Sequence, residues 1–192
     1  MPPPSPGDSL RPWKKLKSEP MPHMLLFRPR WDTLVNPRTD EEMRRLVLEL
    51  RDWVNVVALT PERELVVVRQ YRFGTGEFTI EIPGGVIDPG EGHEEAAKRE
   101  LREETGRTAP RWRYLGSCQP NPAFQNNRCH HWLAEDAEVT SPLALDDGED
   151  IAPDTLPLDD ALAMVRDGTI GHSLVIAALA RLFDLSPPTP RP

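Results

Sequence analysis

Three glutamates crowd one short stretch of this 192-residue sequence, RELREETG at residues 99–106. In a helix, Glu100, Glu103 and Glu104 stand at positions i, i+3 and i+4, so their carboxylates share one face. Like charges at that spacing repel by roughly 0.2–0.5 kcal/mol per exposed pair. Hard divalent cations prefer oxygen ligands, so a face that is repulsive when empty is well suited to bind them. A solvated, charged helix face is the alternative explanation.

A longer pattern extends upstream of the glutamates. Gly85 is followed by five residues, then Glu91, then seven residues, then Arg99 and the rest of the stretch up to Gly106. Seven fixed residues at about 6 % usage each make a chance match on the order of one in a million for a chain of this length. A merely solvated helix face leaves Gly85, Glu91 and the carboxylate spacing as coincidences, so the pattern favours a metal site.

This pattern resembles the signature of the Nudix hydrolases at every charged and glycine position. The one departure is Arg107, where that family usually carries an aliphatic residue; the change is expected to weaken packing at the helix end without involving a carboxylate. The resemblance implies hydrolysis of a nucleoside diphosphate linked to another group. It also implies Mg²⁺ or Mn²⁺ as cofactor, because such cations neutralise the diphosphate and lower the pKa of an attacking water.

The resemblance further implies roles for individual residues. The metal ligands it assigns are the carboxylates of Glu100, Glu103 and Glu104 and the backbone carbonyl of Gly84. A glycine fits that position because a close metal or phosphate approach needs a backbone without Cβ. Arg99 and Glu91 correspond to groups that orient the ligands. Arg99 and Glu103 are therefore both assigned as catalytic residues. A plain salt bridge is the alternative for Arg99.

A general base is expected outside the pattern. In the ADP-ribose and nucleotide-sugar pyrophosphatase branch of the family, a glutamate on a later loop often activates the water, and Glu149 in DDGEDI is the best match. Gly148 gives this loop the freedom to close over a substrate. The alternative is an acidic loop that only improves solubility.

The resemblance to that branch also covers RQYRFGTGEFTIEIPGG at residues 69–85. There the arginine matching Arg72 contacts a substrate phosphate, and the glutamate matching Glu81 lies near the site. Arg72 as an ordinary surface residue is the alternative. Pro122 lies close to where the branch often carries a proline, although Pro120 and Pro122 also fit a simple turn.

Four aromatic residues are candidates for stacking on an adenine: Trp31, Trp53, Phe73 and Phe124. Core packing is the commoner role of such residues. Phe124, in the segment after the helix, is the one assigned here to substrate binding.

The surrounding sequence predicts the elements that position these residues. Alternating and β-branched runs predict strands at WVNVVALT, ELVVVRQYR, FTIEIPGG, WRYLGSCQ and RCHHWLAED, with one helix among them and two helices after them. We therefore predict an α/β (mixed α+β) fold with a mixed sheet between helices, an α/β/α sandwich of the Nudix type. MLLFRPRWDTLVN and MRRLVLELR predict a small additional N-terminal antiparallel sheet.

Composition sets the domain boundaries. Seven prolines fall in residues 1–22 and four in residues 186–192, which predicts flexible tails at both ends. Residues 52–185 are assigned to the Nudix domain. Residues 23–51 resemble the extra sheet with which this branch forms dimers, so we expect a homodimer on that resemblance.

Charge and cysteine content exclude several classes of function. A net charge of −8 argues against nucleic acid or anionic lipid as partners. Cys118 and Cys129 make neither a disulfide framework nor a zinc motif, and His130 and His131 are expected to be strand residues. No secretion signal or membrane-spanning run is visible, so we expect a soluble, cytoplasmic protein.

The leading hypothesis is metal-dependent hydrolysis of ADP-ribose or a related nucleoside diphosphate sugar to a nucleoside monophosphate and a sugar phosphate. Hydrolysis of another diphosphate, such as coenzyme A or a dinucleoside polyphosphate, is one alternative. A Nudix-fold nucleotide-binding module without catalysis is the other; such loss usually shows as substituted glutamates in the pattern, and all of them are present here.

Overall fold

The computed structural model describes residues 14–22, 24 and 26–186. Within them lie eleven strands and three helices. The strands are β1 (Lys14–Pro20), β2 (Arg28–Val35), β3 (Glu42–Glu49), β4 (Trp53–Leu59), β5 (Glu64–Arg72), β6 (Glu77–Glu81), β7 (Arg107–Thr108), β8 (Arg111–Cys118), β9 (Cys129–Glu135), β10 (Glu138–Val139) and β11 (Ile151–Pro157). The helices are α1 (His93–Thr105), α2 (Leu158–Arg166) and α3 (Ser173–Leu179). No helix in this described part of the chain is long and apolar enough to span a membrane.

The chain divides into two compact units, residues 1–50 with 121–127 and residues 51–120 with 128–192. The domain boundaries predicted from the sequence put residues 121–127 in the larger domain. The structure groups these residues with the N-terminal unit instead. There the amide of Leu48 donates to the carbonyl of Phe124 (2.7 Å), and the amide of Leu50 donates to Oδ1 of Asn126 (3.0 Å). These bonds join positions far apart in sequence, which explains why no local pattern revealed them.

The N-terminal unit contains the predicted small antiparallel sheet, with strand order β1-β2-β3. Asp32 on the central strand β2 is only 4 % exposed. Its carboxylate accepts hydrogen bonds from Ser18 and Lys15 of β1 and from Arg30 of β2 itself. A buried carboxylate with several donors thus connects β1 to the middle of the sheet.

The strand β1 corrects the prediction of a tail over residues 1–22. Its segment Lys14–Pro20 pairs with β2 from Lys14↔Val35 to Pro20↔Arg30. Five of the prolines that suggested a tail precede Lys14, and Pro20 ends a strand at the sheet edge, where a missing N–H is tolerated. Residues 1–13 and 187–192, also predicted to be tails, lie outside the described residues.

The larger unit is built on a six-stranded mixed sheet in the order β11-β5-β4-β9-β8, with β6 also paired to β5. β4 and β9 run parallel, and the other pairs of this sheet are antiparallel. The nearly continuous apolar run of β4 is typical of a strand covered on both faces. Val54, Val56 and Val57 are accordingly fully buried.

Helices cover both faces of this sheet. On one face, residues of β4 and β9 such as Val57 and Leu133 form a core with α2 and α3. On the other face, Val54 and Trp132 pack with Leu101 of α1. This arrangement is the predicted α/β/α sandwich with a mixed sheet, and it places α1 alone on one side.

The edge strand β11 was not predicted. It pairs antiparallel with β5 from Ile151↔Gln70 to Pro157↔Glu64. Its sequence IAPDTLP lacks apolar alternation and contains two prolines, which an edge strand tolerates because one side of its backbone needs no partner. The pairing fixes the end of the loop that carries Glu149 beside β5.

Candidate active site

Helix α1 presents the three glutamates of the sequence pattern. It begins after Gly92, whose amide donates to Oε2 of Glu95 (3.0 Å), and it ends at Gly106, which has a left-handed φ of 67°. Glu100 and Glu104 are 7 % and 3 % exposed. The predicted helix is therefore confirmed, and its acidic face turns inward rather than to solvent.

Two glycines allow this face to approach the backbone that follows β6. The amide of Gly84 donates to Oε2 of Glu104 at 2.9 Å. A Cβ on Gly84 would collide with the backbone carbonyl of Val54, and a Cβ on Gly85 would collide with the carboxylate of Glu100. The absence of side chains at these two positions makes room for neighbouring protein atoms.

The carbonyl of Gly84 differs in its hydrogen bonding from the carbonyls of the residues on either side. The carbonyl of Pro83 accepts from the amide of Val56 (2.8 Å), and that of Gly85 accepts from the amide of Val54 (2.9 Å). No described residue donates a backbone hydrogen bond to the carbonyl of Gly84 between them. Its oxygen is thus available as a ligand.

The two inner carboxylates lie where a negative charge is unfavourable. Burial raises the pKa of Glu104 to about 8, and the charges of Glu100 and Glu149 add to the effect, against the amide of Gly84. Burial likewise raises the pKa of Glu100 to about 7, against the favourable charge of Arg99. A bound cation would relieve both penalties, because it favours the charged forms.

Arg99 links the ligands of the pattern to its upstream half. Its Nε and Nη2 donate to the two oxygens of Glu91, each at 2.9 Å, and Nη2 also donates to the carbonyl of Val86. Its Nη1 donates to Glu100 (2.8 Å) and to Glu103 (3.1 Å). Arg99 therefore contacts two of the three expected metal ligands and is itself fixed by Glu91.

The donor set fits a hard divalent cation. As they stand, no three or more His, Cys, Asp or Glu side chains among the described residues are arranged to hold a metal ion, and Arg99 occupies one oxygen each of Glu100 and Glu103. The remaining donors are carboxylate oxygens and the carbonyl of Gly84. Mg²⁺ commonly takes a few such oxygens and completes its shell with water and substrate phosphate.

The structure joins the two expected substrate residues in a direct ion pair. Nε and Nη2 of Arg72 donate to the two oxygens of Glu81, each at 2.7 Å, and the hydroxyl of Thr79 donates to Glu81 at 2.7 Å. The hydrogen bonds with Glu81 raise the pKa of Arg72, and the charges of Glu104 and Glu149 contribute. Arg72 therefore lies within the field of the acidic face of α1.

Glu149 lies on the loop before β11. Its carboxylate accepts a hydrogen bond from the amide of Asp146 (3.0 Å), and its own amide donates to the carbonyl of Asp146 (3.0 Å). Its charge raises the pKa values of Glu100 and Glu104, so the loop faces α1. The structure thus brings Glu149 near the acidic face, with its side chain turned back onto its own loop.

Phe124, the aromatic residue expected to contact the substrate, belongs to the N-terminal unit. Phe124 lies in the unit of residues 1–50 and 121–127, and its ring is 39 % exposed. Phe73, another stacking candidate, is 89 % exposed at the end of β5. The described residues gathered at the acidic face, such as Glu100, Glu104 and Arg99, are polar.

Sequence reasoning missed one residue at the Arg72–Glu81 pair. Nε2 of His172, at the start of α3, lies 3.8 Å from Oε2 of Glu81. His172 lies far from Glu81 in the sequence and belongs to no recognisable motif, so no signal in the sequence links the two residues. Only the fold brings α3 to this end of β6.

The glutamate pattern and the sheet that carries it lie within a stretch that matches a known domain family. Residues 49–179 match the NUDIX domain. The chain belongs to the Nudix hydrolase family, which confirms the resemblance of the glutamate pattern.

Several individual proteins are similar to this chain in sequence or in structure. The ADP-ribose pyrophosphatases of Bacillus subtilis (strain 168) and Mycobacterium tuberculosis (strain ATCC 25618 / H37Rv) are 35 % and 33 % identical, over 59 % and 70 % of this chain. These matches span 62 % and 66 % of the two relatives, slightly less than two thirds of each. The methanol dehydrogenase activator of Bacillus methanolicus is 32 % identical over 67 % of this chain and 70 % of that protein. A crystal structure of an ADP compounds hydrolase superposes with a TM-score of 0.76 at 25 % identity, covering 91 % of this chain and 94 % of the other.

Proposed function

We propose that this protein hydrolyses the diphosphate linkage of ADP-ribose or a related nucleoside diphosphate sugar, releasing a nucleoside monophosphate and a sugar phosphate. The observation that carries the proposal is the buried pair Glu100 and Glu104 facing Gly84, with the Arg72–Glu81 pair in the same electrostatic field. Relatives named as ADP-ribose pyrophosphatases and an ADP compounds hydrolase support this substrate class.

The cofactor in this proposal is Mg²⁺ or Mn²⁺. Glu100, Glu103, Glu104 and the carbonyl of Gly84 would hold it, and Arg99 keeps two of these carboxylates in place. When bound, the cation neutralises diphosphate charge and lowers the pKa of the attacking water. Carboxylates whose charged forms are disfavoured by burial gain most from such a partner.

Arg72 is the proposed phosphate anchor. Two of its nitrogens are held by Glu81, and no described residue binds its Nη1. A guanidinium fixed on one side by a carboxylate presents its remaining N–H groups in a set direction, which suits a phosphate oxygen. Glu81 itself is only 4 % exposed and acts through Arg72.

Glu149 is the proposed general base. In the reaction, water oxygen bonds to phosphorus, its proton passes to the carboxylate, and the phosphorus–oxygen bond to the leaving phosphate breaks. The carboxylate must first leave the amide of Asp146, which a loop movement on substrate binding permits. Turnover of Glu149→Gln within a few-fold of the wild type would remove Glu149 from this role.

The cellular location, the oligomeric state and the role of Phe124 are proposed from the resemblance to the family branch. We place the protein in the cytoplasm as a homodimer that acts on a nucleoside diphosphate-linked small molecule, with the sheet of β1, β2 and β3 as the dimerisation element and Phe124 as a substrate contact. A monomer in gel filtration at micromolar concentration would argue against the dimer.

A substrate panel tests the proposed activity. Turnover is measured with Mg²⁺ or Mn²⁺ on ADP-ribose, nucleotide sugars, coenzyme A, dinucleoside polyphosphates and nucleoside triphosphates, with products identified by chromatography. Strong hydrolysis of a diphosphate sugar supports the proposal, and a clear preference for another compound reassigns the substrate. Silence across the panel despite metal binding favours a binding module.

A further inference from the structure

His172 stands against the carboxylate that fixes Arg72. Glu81 is 4 % exposed, and each of its oxygens accepts a hydrogen bond from Arg72, with a further bond from Thr79 to Oε1. Nε2 of His172 lies 3.8 Å from Oε2, the oxygen that Thr79 does not bind. Hydrogen bonds in unliganded active sites are often long and tighten when the substrate binds.

The surroundings of the imidazole select one tautomer. Nδ1 of His172 is buried and has no hydrogen-bond partner among the described residues. A proton on Nδ1 would leave a buried donor unsatisfied and would point the lone pair of Nε2 at a carboxylate oxygen. A proton on Nε2 points an N–H at the carboxylate and leaves Nδ1 as an unpaired acceptor, which is better tolerated than an unpaired donor. Burial lowers the pKa of His172, which agrees with a neutral ring.

We propose that His172 is a positioning residue for substrate binding: its Nε2–H faces Glu81 at 3.8 Å, donates to it when the substrate tightens the site, and thereby holds Arg72 with its free Nη1 edge directed at the substrate phosphate. His172 acts through Glu81 and touches no reacting atom in this scheme. The inference rests on the proposed function, because it needs Arg72 to bind a phosphate. It adds the residue that precedes α3 to a site built from β5, β6, α1 and the loops that carry Gly84 and Glu149.

Three variants separate positioning from folding. His172→Leu removes the donor, whereas His172→Gln keeps an N–H at a similar reach. Ser173→Ala, one residue later on the exposed side of the same helix start, is the matched control. We expect about a tenfold rise in KM for ADP-ribose with His172→Leu, kcat within about twofold, and recovery to within about threefold of the wild-type KM with His172→Gln. Wild-type KM in His172→Leu, or an equal loss in the leucine and glutamine variants, would overturn the proposal.

A second measurement remains informative if the protein shows no turnover. Nitrogen-15 spectra of the imidazole distinguish the two neutral tautomers in the unliganded protein. We expect the Nε2–H form for His172, with a changed spectrum in Glu81→Gln. An Nδ1–H form, or the averaged signal of a free imidazole, would overturn the inference by itself. Absence of wild-type turnover with the expected tautomer would instead overturn the proposed activity and the link from Arg72 to substrate.

Discussion

At the scale of single residues, the site depends on carboxylates held in positions that disfavour their charge. Glu100 and Glu104 are nearly fully buried, and the pKa of each is raised above its usual value by that burial. Such an arrangement is costly for stability alone and is common at functional sites. The repulsion predicted from the sequence is present in the folded protein, because the charge of Glu100 also raises the pKa of Glu104. A bound cation would offset it.

The two adjacent glycines should respond differently to a methyl group. In Gly84→Ala the new Cβ collides with backbone at Val54, which cannot move cheaply, so we expect a loss of about 1–3 kcal/mol in the free energy of unfolding. In Gly85→Ala the collision is with the end of the Glu100 side chain, which can turn away. We expect a stability change within about 1 kcal/mol and a loss of at least about tenfold in kcat/KM.

Denaturant unfolding and steady-state kinetics on both variants check this contrast. A fully active, stable Gly85→Ala protein would show that the position of the Glu100 carboxylate is unimportant for turnover. An unaffected Gly84→Ala stability would show that β4 and the segment after β6 are less closely packed than the structure indicates.

At the scale of elements, strands and helices with a strong apolar pattern could be predicted from the sequence. Strands that lack such a pattern could not. β4, β5, β9 and α1 follow from β-branched runs and from the helical spacing of charged and apolar residues. β1 and β11 were missed because prolines and charged residues mark them as loops, although an edge strand accepts both. The pairing of Arg72 with Glu81 and the approach of His172 depend on strand register and on a distant helix, which short patterns do not encode.

The N-terminal sheet should show a pH dependence that originates from Asp32. Burial opposes its charge, but hydrogen bonds from Arg30, Ser18 and Lys15 outweigh burial and lower the pKa of Asp32 to about 2. A lowered folded-state pKa means that the carboxylate stabilises the sheet fully above its ordinary pKa of 3.8 and loses that effect as the pH falls from there through about 2. Asp32→Asn should therefore destabilise the protein by about 2 kcal/mol near neutral pH and by progressively less in this acid range.

Urea unfolding of both proteins between neutral pH and the most acidic pH at which they remain folded measures this difference. Asp40→Asn, at an exposed turn of the same unit, is the control. A gap between wild type and Asp32→Asn that stays constant below pH 3.8 would contradict the assignment.

At the scale of the whole molecule, the chain combines a NUDIX domain with a further sheet. The match to the NUDIX domain covers residues 49–179, whereas β1, β2 and most of β3 precede it. The division into two units also shows that residues 121–127, inserted between β8 and β9, belong with the added sheet. The sequence could suggest the extra sheet from its apolar runs, but not this contribution from a distant loop.

If the N-terminal sheet is the dimerisation element, a mutation there should change oligomeric state before it changes chemistry. Because β1 is an exposed edge strand, replacing Leu16, which is 44 % exposed, with Glu should shift the protein towards monomer. Light scattering coupled to gel filtration measures the shift, with Lys17→Gln on the same strand as control. A wild type that is already monomeric, or a dimer that tolerates both changes, would refute this assignment.

In the proposed function, the buried glutamates of α1 bind a divalent cation for diphosphate hydrolysis. The most direct test compares wild type, Glu104→Gln and Glu94→Gln, an exposed glutamate of the same helix that pairs with Lys98, in Mg²⁺-dependent hydrolysis of ADP-ribose, together with Mn²⁺ binding by calorimetry. We predict that wild type and Glu94→Gln release AMP and ribose 5-phosphate, while Glu104→Gln loses at least about a hundredfold in kcat/KM and binds Mn²⁺ more weakly. Hydrolysis by Glu104→Gln at the wild-type rate would show that this carboxylate is not needed for the cation that acts in the reaction.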